Sequence, residues 1–224
     1  MKKIACVFLF CFPAIHTVAV NQKQLDSLYH CIDHAIEHAT DYIANREARI
    51  DRLRKNLSKS ANREARLDYT FQLYEEYKSY QNDSAVAYLL KAVSQAIVLK
   101  DHSRADYYRS LLAFQYSSSG MYTESFAMLN AQQPNRLQGR ALAQYYISLA
   151  HVYGEVAYYT NQPSLQQQLR AKADSCQRLL FRILAPEDDI NLQYHEVDYY
   201  NKKNFVKALE TNNRRMKGLH PDDR

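Results

Sequence analysis

The chain has 224 residues, of which 46% are hydrophobic and 24% charged, and its formal net charge is +5. This composition is typical of a folded protein and excludes wholesale disorder. With only 4 Gly and 5 Pro, the chain has too few turn residues for a β-sandwich or a β-barrel.

The first nineteen residues have the three-part pattern of a secretory signal peptide. Lys2 and Lys3 give a basic start, an apolar run follows over residues 4–15, and Thr17 and Ala19 are the small residues of a cleavage site. The run is too short to span a bilayer as a helix. We therefore predict residues 1–19 to be a signal peptide and the mature protein to be exported. The alternative is a buried N-terminal helix.

The next segment predicts one long amphipathic helix over residues 23–58. From Leu25 to Leu57, apolar residues recur at steps of three and four. This narrow stripe is either a coiled-coil seam or the face that packs on the next helix, and we favour the second interpretation.

Three histidines, His30, His34 and His38, lie on the outer face of that helix at i, i+4 and i+8. Two histidines at this spacing can hold one divalent metal ion. Alternatively, their protonation at about pH 6.5 would add positive charge and make the helix respond to pH. We favour a solvated helix face, because no second element supplies further ligands. We therefore expect neither a metal nor another cofactor.

Residues 46–66 form a basic segment with eight Lys or Arg against Glu47, Asp51 and Glu64. Behind a signal peptide, anionic lipid headgroups or an acidic partner are better candidates than nucleic acid. The interpretation that we favour is a charged outer face stabilised by pairs such as Asp51 with Lys55.

The clearest internal repeat runs from Arg104 to Pro134 and resembles the tetratricopeptide repeat. A first helix carries Ala113, Gly120 marks the turn, and a second helix carries Ser125. In the tetratricopeptide repeat, two small residues at these positions let the paired helices approach closely, and a tyrosine fills the space between them.

One earlier and two later copies of this unit recur at intervals of about 37 to 40 residues. They are marked by Leu73, Tyr74 and Tyr77; by Leu149, Ala150 and Tyr153; and by Tyr199, Phe205 and Ala208, with Pro221 closing the last unit. The pattern predicts an all-α fold in which residues 63–224 are degenerate tetratricopeptide-like repeats. Such repeats stack as a solenoid with a groove lined by the first helix of each pair.

Most of the mature chain resembles a family of uncharacterised bacterial envelope transcription regulators. The resemblance rests on residues 25–28 (LDSL), 49–53 (RIDRL), 73–80 (LYEEYKSY), 83–85 (DSA) and 118–122 (SSGMY). It implies a signal peptide and periplasmic repeats, followed by a transmembrane helix, a cytoplasmic coiled coil and a helix-turn-helix domain.

The sequence reaches Arg224 without the last three of these parts. We therefore expect a chain truncated within its last repeat. A membrane anchor, if there is one, lies beyond residue 224, and this chain makes no nucleic-acid contacts.

Motifs of the common enzyme classes are missing. There is no Gly-rich phosphate loop, no Gly-x-Ser-x-Gly, no His-Glu-x-x-His and no Cys-x-x-Cys. Cys31 and Cys176 have no catalytic context, and we favour core positions over a disulfide between them. We predict a protein that is not an enzyme.

We therefore predict a periplasmic binding domain whose partner is a protein or peptide segment of the envelope. By the resemblance, it is the sensing part of a membrane-anchored regulator; the alternative is a stand-alone scaffold or adaptor. Projection of the repeat phase predicts that the groove is lined by Tyr74, Tyr77, Tyr107, Phe114, Ser117, His151, Glu155, Tyr200 and Asn201.

Overall fold

A computed structural model describes residues 22–218 of the chain. The predicted signal peptide, the predicted closing residue Pro221 and the end of the chain lie outside these residues. The described residues are helical with no strand, which confirms the predicted all-α class. They form two units, which divide between Ala48 and Arg49. No helix within residues 22–218 is both long and apolar enough to cross a membrane.

Ten α-helices and one 3-10 turn follow one another along the described residues. They are α1 (Gln22–Glu37), α2 (Ala39–Lys59), α3 (Arg63–Tyr77), α4 (Asn82–Val98), α5 (His102–Ser118), α6 (Tyr122–Asn130), the 3-10 turn (Pro134–Arg136), α7 (Gly139–Tyr159), α8 (Pro163–Ile183), α9 (Asp189–Asn201) and α10 (Phe205–Gly218).

The first unit contains α1 and the beginning of α2, and it differs from the single helix predicted over residues 23–58. The helix is interrupted at His38, whose carbonyl accepts hydrogen bonds from the amides of both Asp41 (3.0 Å) and Tyr42 (3.1 Å). The bond from Asp41 spans three residues, so the chain tightens locally to 3-10 geometry. Thr40, a β-branched residue with modest helix propensity, lies within this turn.

The second unit consists of helix pairs. Helices α3 and α4, α5 and α6, α7 and α8, and α9 and α10 pack against each other in turn, and α5 also packs against α4 and α7. These four pairs are the tetratricopeptide-like repeats. We number them from one to four and call α3, α5, α7 and α9 the first helices.

The two small positions of the second repeat form its closest internal contact. Ala113 and Ser125 are both 0% exposed, and the Ser125 hydroxyl donates a hydrogen bond of 2.7 Å to the Ala113 carbonyl. Larger side chains at these positions would hold α5 and α6 apart. The small residues therefore set the spacing of the pair, as the repeat pattern predicts.

Small residues also bring the first helices of neighbouring repeats together. The Ser148 hydroxyl on α7 donates a hydrogen bond of 2.6 Å to the Ser110 carbonyl on α5, and both serines are fully buried. This contact fixes the register of α7 on α5, and it positions the side chains described next.

Candidate functional site

Four of the predicted groove residues meet where α5 and α7 face each other. Phe114 and Ser117 belong to α5, and His151 and Glu155 belong to α7. The Phe114 and His151 ring centroids are 4.1 Å apart, and the Ser117 hydroxyl oxygen lies 2.8 Å from His151 Nδ1. We call these four residues the His151 cluster.

The hydrogen bonds of this cluster indicate the tautomer of His151. The Ser117 oxygen is also 2.9 Å from the Phe114 carbonyl oxygen. A hydroxyl has one proton, so both contacts are hydrogen bonds only if Ser117 donates to that carbonyl and accepts from the His151 Nδ1–H. The other ring nitrogen, Nε2, is then a hydrogen-bond acceptor.

Burial keeps the His151 ring neutral at neutral pH. Loss of solvation lowers the pKa of His151, and the nearby Glu155 carboxylate opposes this shift without reversing it. A neutral ring packed against Phe114 presents an apolar face together with one polar atom, which suits binding of an uncharged hydrogen-bond donor.

Ser117, His151 and Glu155 are the residue types of a hydrolase triad, but the geometry does not support that chemistry. Ser117 is only 1% exposed, so its hydroxyl is not accessible to a substrate. The hydroxyl is also engaged with a backbone carbonyl rather than activated by the imidazole. The cluster therefore supports packing and binding, not nucleophilic attack.

Beside the cluster, a groove of about 270 Å³ opens between α7, α8 and α9. We call it the His151 groove. Within residues 22–218, the Glu155 and Asp174 carboxylates that line this groove form no ion pair with a basic side chain. The groove is lined by Ala150, His151, Gly154, Glu155, Ala173, Asp174, Gln177 and Tyr194.

Tyr194 forms the α9 wall of this groove and is held by the apolar surface of α8. Its ring meets Phe181 edge to face at a centroid distance of 6.2 Å. Burial raises the pKa of the Tyr194 hydroxyl, so it is protonated at neutral pH and can donate or accept a hydrogen bond.

Tyr107, another predicted groove residue, lies in a second cavity of about 290 Å³ near the N-terminal ends of α7 and α9. The Arg140 guanidinium lies 5.8 Å from the centre of its ring, and burial raises the pKa of the Tyr107 hydroxyl. Asp188 also lines this cavity. Tyr107 is therefore accessible but does not line the His151 groove.

Two predicted groove residues, Tyr74 and Tyr77, belong to the core instead. They are 3% and 1% exposed, and the Arg54 guanidinium donates a hydrogen bond of 2.6 Å to the Tyr77 hydroxyl. Tyr77 also stacks on Tyr88 at a centroid distance of 5.5 Å. Such buried rings cannot line a groove, so we remove both tyrosines from the candidate site.

The last two predicted groove residues, Tyr200 and Asn201, are exposed at the end of α9. Tyr200 meets Phe205 of α10 edge to face at 5.6 Å. Neither residue lines the His151 groove.

The sequence prediction missed Asp174, Gln177 and Tyr194. The first two lie on α8, a second helix of a repeat, whereas the prediction took groove residues from first helices alone. Tyr194 is on a first helix, but it lies six residues, about one and two-thirds turns, before Tyr200. Only the placement of α8 and α9 around the groove reveals these three residues.

The three histidines of the predicted ladder are exposed; His30 and His34 belong to α1, and His38 lies at the interruption that follows it. The His34 and His38 rings are 4.3 Å apart, and His38 Nδ1 lies 3.0 Å from an Asp41 carboxylate oxygen. Residues 22–218 contain no group of three or more His, Cys, Asp or Glu side chains arranged to hold a metal ion.

Both described cysteines are free thiols. Cys176 is buried, as the favoured core interpretation expects, whereas Cys31 is exposed rather than in a core. Burial raises the pKa of the Cys176 thiol, which makes it a poor nucleophile at neutral pH.

Some basic side chains of residues 46–66 form ion pairs within the chain. Arg49 forms a bidentate ion pair with Glu76 of α3, in which Nε lies 2.9 Å from Oε1 and Nη2 lies 3.1 Å from Oε2. Asp51 pairs with Arg54 at 3.6 Å, rather than with Lys55 as predicted.

Comparison with known families gives a match over most of the chain. The family model described as the SusR N-terminal TPR domain, where TPR denotes the tetratricopeptide repeat, matches residues 36–224. No curated protein and no solved structure matches the chain.

Proposed function

The chain belongs to the SusR N-terminal TPR domain family, and from this premise we propose that it is a non-enzymatic sensing domain that binds a peptide or protein segment in the periplasm. We further propose that it is the sensing part of a membrane-anchored transcription regulator. Domains built from tetratricopeptide repeats generally mediate protein interactions, and this supports a polypeptide ligand.

The observation that carries the proposal is the combination of groups around the His151 groove. The groove joins two carboxylates, Glu155 and Asp174, with the rings of His151 and Tyr194. Carboxylates without an ion-pair partner attract a cationic side chain, and the rings can contact its aliphatic stem. We propose that the groove receives an extended segment with a Lys or Arg side chain directed toward Glu155 and Asp174.

Hydrogen bonding gives this mode a second point of recognition. The Nε2 atom of His151 accepts a hydrogen bond in the tautomer that satisfies Ser117, so a backbone N–H of the ligand can donate to it. One acceptor for the backbone and two carboxylates for a side chain would fix both the position and the direction of the bound segment.

A peptide-display selection on the purified chain tests this proposal. We expect enrichment of peptides that contain Lys or Arg, and a loss of affinity of about 5- to 30-fold (about 1–2 kcal/mol) in Glu155→Gln, because a charge-assisted contact becomes neutral. The matched control is Glu124→Gln, which removes an exposed carboxylate on α6 outside the groove. Peptides without cations, or equal affinity for both variants, would contradict the proposed mode.

The periplasmic location needs its own test. The pattern of residues 1–19 supports export, and the family name supports a role in regulation. A C-terminal fusion to alkaline phosphatase, which is active only after export, should be active with the first 19 residues and inactive without them. Equal activity of the two fusions would contradict a periplasmic location.

A further inference from the structure

The second cavity, of about 290 Å³, is lined by residues from three repeats. Tyr107 belongs to α5 of the second repeat, and residues 139–147 of α7 and the end of α8 belong to the third. Asp188 and Ile190, at the start of α9, belong to the fourth. We call it the Arg140 cavity. Its volume is close to the lower end of the range of about 300–1,000 Å³ that is typical of small-molecule sites, so it suits a small ligand.

Arg140 brings a positive charge to this cavity. Its guanidinium lies 5.8 Å from the centre of the Tyr107 ring, and this cation–π contact directs the side chain toward α5. Within residues 22–218, Arg140 forms no ion pair with an acidic side chain. Because a guanidinium binds a carboxylate in a bidentate manner, Arg140 is able to receive one from a ligand.

Asp188 brings a negative charge to the α9 side of the cavity. Its Oδ1 atom caps α9 by accepting a hydrogen bond of 3.0 Å from the Ile190 amide, which holds the carboxylate at the helix start. The neighbouring Glu187 and Asp189 pair with two arginines of α10, whereas Asp188 forms no ion pair with any described residue. Its second oxygen is therefore left to accept from a cationic donor.

Opposite charges on different helices of this unit meet directly at other places. Arg104 lies 2.5 Å from Glu64, and Arg49 lies 2.9 Å from Glu76. Arg140 and the Asp188 carboxylate line one cavity without forming such a pair. Since opposite charges attract across the space between them, a ligand with both an anionic and a cationic group would satisfy the two side chains together.

The other walls of the Arg140 cavity are mostly apolar. They come from α7, α8 and α9, and consist of Ala143, Ile147, Ile183, Leu184 and Ile190. All of these except Ala143 are half-buried, so an apolar group of a ligand would bury more of their surface, which favours binding. A third charged group would lose its hydration beside them without gaining a partner. The walls therefore select an apolar side chain.

We propose that the Arg140 cavity binds a free α-amino acid with an apolar side chain. The ligand carboxylate pairs with Arg140, its ammonium group pairs with Asp188, and its side chain packs on the apolar walls. An inorganic anion would leave Asp188 without a partner, Arg140 would repel a metal ion, and a residue inside a peptide carries neither charge on its backbone. This site is distinct from the proposed peptide site, because it is a different cavity and takes a small molecule.

A bound amino acid would join two first helices. Helix α7 packs closely on α5, whereas α9 does not pack closely on α7. Arg140 belongs to α7 and Asp188 caps α9, so a ligand held by both side chains connects the third repeat to the fourth. Because the ligand binds the folded chain only, it should also raise the temperature of thermal unfolding.

Isothermal titration calorimetry of the purified chain with L-leucine tests this proposal. We expect saturable binding that is weaker by about 10-fold or more in Arg140→Gln and in Asp188→Asn, because each variant loses one charge-assisted contact. Asparagine is also a good N-cap, so Asp188→Asn keeps α9 capped. The matched controls are Arg170→Gln on α8 and Asp83→Asn in the first turn of α4, both exposed and outside the cavity. They should bind leucine as the wild type does.

Analogues that lack one charge give the decisive comparison. N-acetyl-L-leucine has no ammonium group and L-leucinamide has no carboxylate, so each should bind about 10-fold or more weakly than leucine. The proposal is overturned if leucine, isoleucine, valine, methionine and phenylalanine all fail to bind. Equal affinity for leucine and both analogues, or unchanged affinity in both folded variants, also overturns it. Peptide binding and its loss in Glu155→Gln test the His151 groove alone, so either proposal can fail without the other.

Discussion

The Ser117 hydroxyl oxygen lies 2.8 Å from His151 Nδ1 and joins the first helices of the second and third repeats. One nitrogen of the imidazole thereby takes part in packing between repeats, while the other is available as an acceptor beside the His151 groove. Packing between the repeats and the lining of the groove therefore share one ring.

The protein should lose stability on acidification between the pKa of His151 in the unfolded chain and its lower pKa in the folded chain. The unfolded chain has a histidine pKa of about 6.5, and burial lowers the pKa in the folded chain. Below about pH 6.5 the unfolded chain binds the proton and the folded chain does not, so the free energy of unfolding decreases until the pH reaches the folded pKa. Urea unfolding at several pH values should show that acidification lowers the free energy of unfolding less in His151→Gln than in the wild type. The same loss of stability in both proteins would contradict the assignment to His151.

Substitution of Tyr77 should affect stability but not ligand binding. Tyr77→Phe removes the hydrogen bond from Arg54 and should lower the free energy of unfolding by about 1–3 kcal/mol. Tyr77→Ala should cost about 3–5 kcal/mol, because it also leaves a cavity. Urea unfolding measures both effects. Weaker peptide binding by a fully stable Tyr77→Phe variant would return this residue to the binding site.

Arg104 should couple the first two repeats electrostatically. Its guanidinium lies 2.5 Å from Glu64 of α3 and 2.6 Å from Asp101. Although burial disfavours the charge, these hydrogen bonds raise the pKa of Arg104. A double-mutant cycle of Arg104→Ala and Glu64→Ala should give a coupling of about 0.5–1 kcal/mol that weakens with added salt.

A pair inside one helix provides the comparison for this cycle. Arg109 and Asp106 lie 2.7 Å apart within α5 and should couple by only about 0.2–0.5 kcal/mol. If Arg104 and Glu64 show no coupling at low salt, they do not join the repeats.

Ser125 should tolerate shortening better than enlargement. Ser125→Ala loses the bond to the Ala113 carbonyl and should cost about 1 kcal/mol. Ser125→Leu must fit a larger side chain at a position that is 0% exposed and should cost about 1–3 kcal/mol for overpacking alone. Thermal unfolding tests both, with the exposed Thr123→Ala of the same helix as control. A leucine variant as stable as wild type would contradict the close approach of α5 and α6.

The repeat units were predictable because their signal is local. Ala113, Gly120 and Ser125 lie within thirteen residues, and close packing of a helix pair constrains the residue type at each position. The first repeat was harder to place, because Lys78–Gln81 contains no glycine at its turn. The repeat phase projected onto this unit therefore placed Tyr74 and Tyr77 in the groove, although both are buried.

The His151 groove was predictable only on its α5 and α7 side. Phe114 and His151 follow from the repeat phase, but Asp174 and Tyr194 lie on α8 and α9. The rotation of these helices relative to α7 depends on packing between residues far apart in the chain, such as Phe181 with Tyr194. A single sequence carries no local signal of that rotation.

Site-specific photo-crosslinking in the native cell tests the proposed binding function most directly. A photoreactive amino acid replaces Gln177 in the His151 groove, or Glu124 on α6 as control. We expect a polypeptide adduct at position 177 that is lost when Glu155→Gln is added, and no adduct at position 124. No adduct at position 177, or an adduct unaffected by Glu155→Gln, would contradict it.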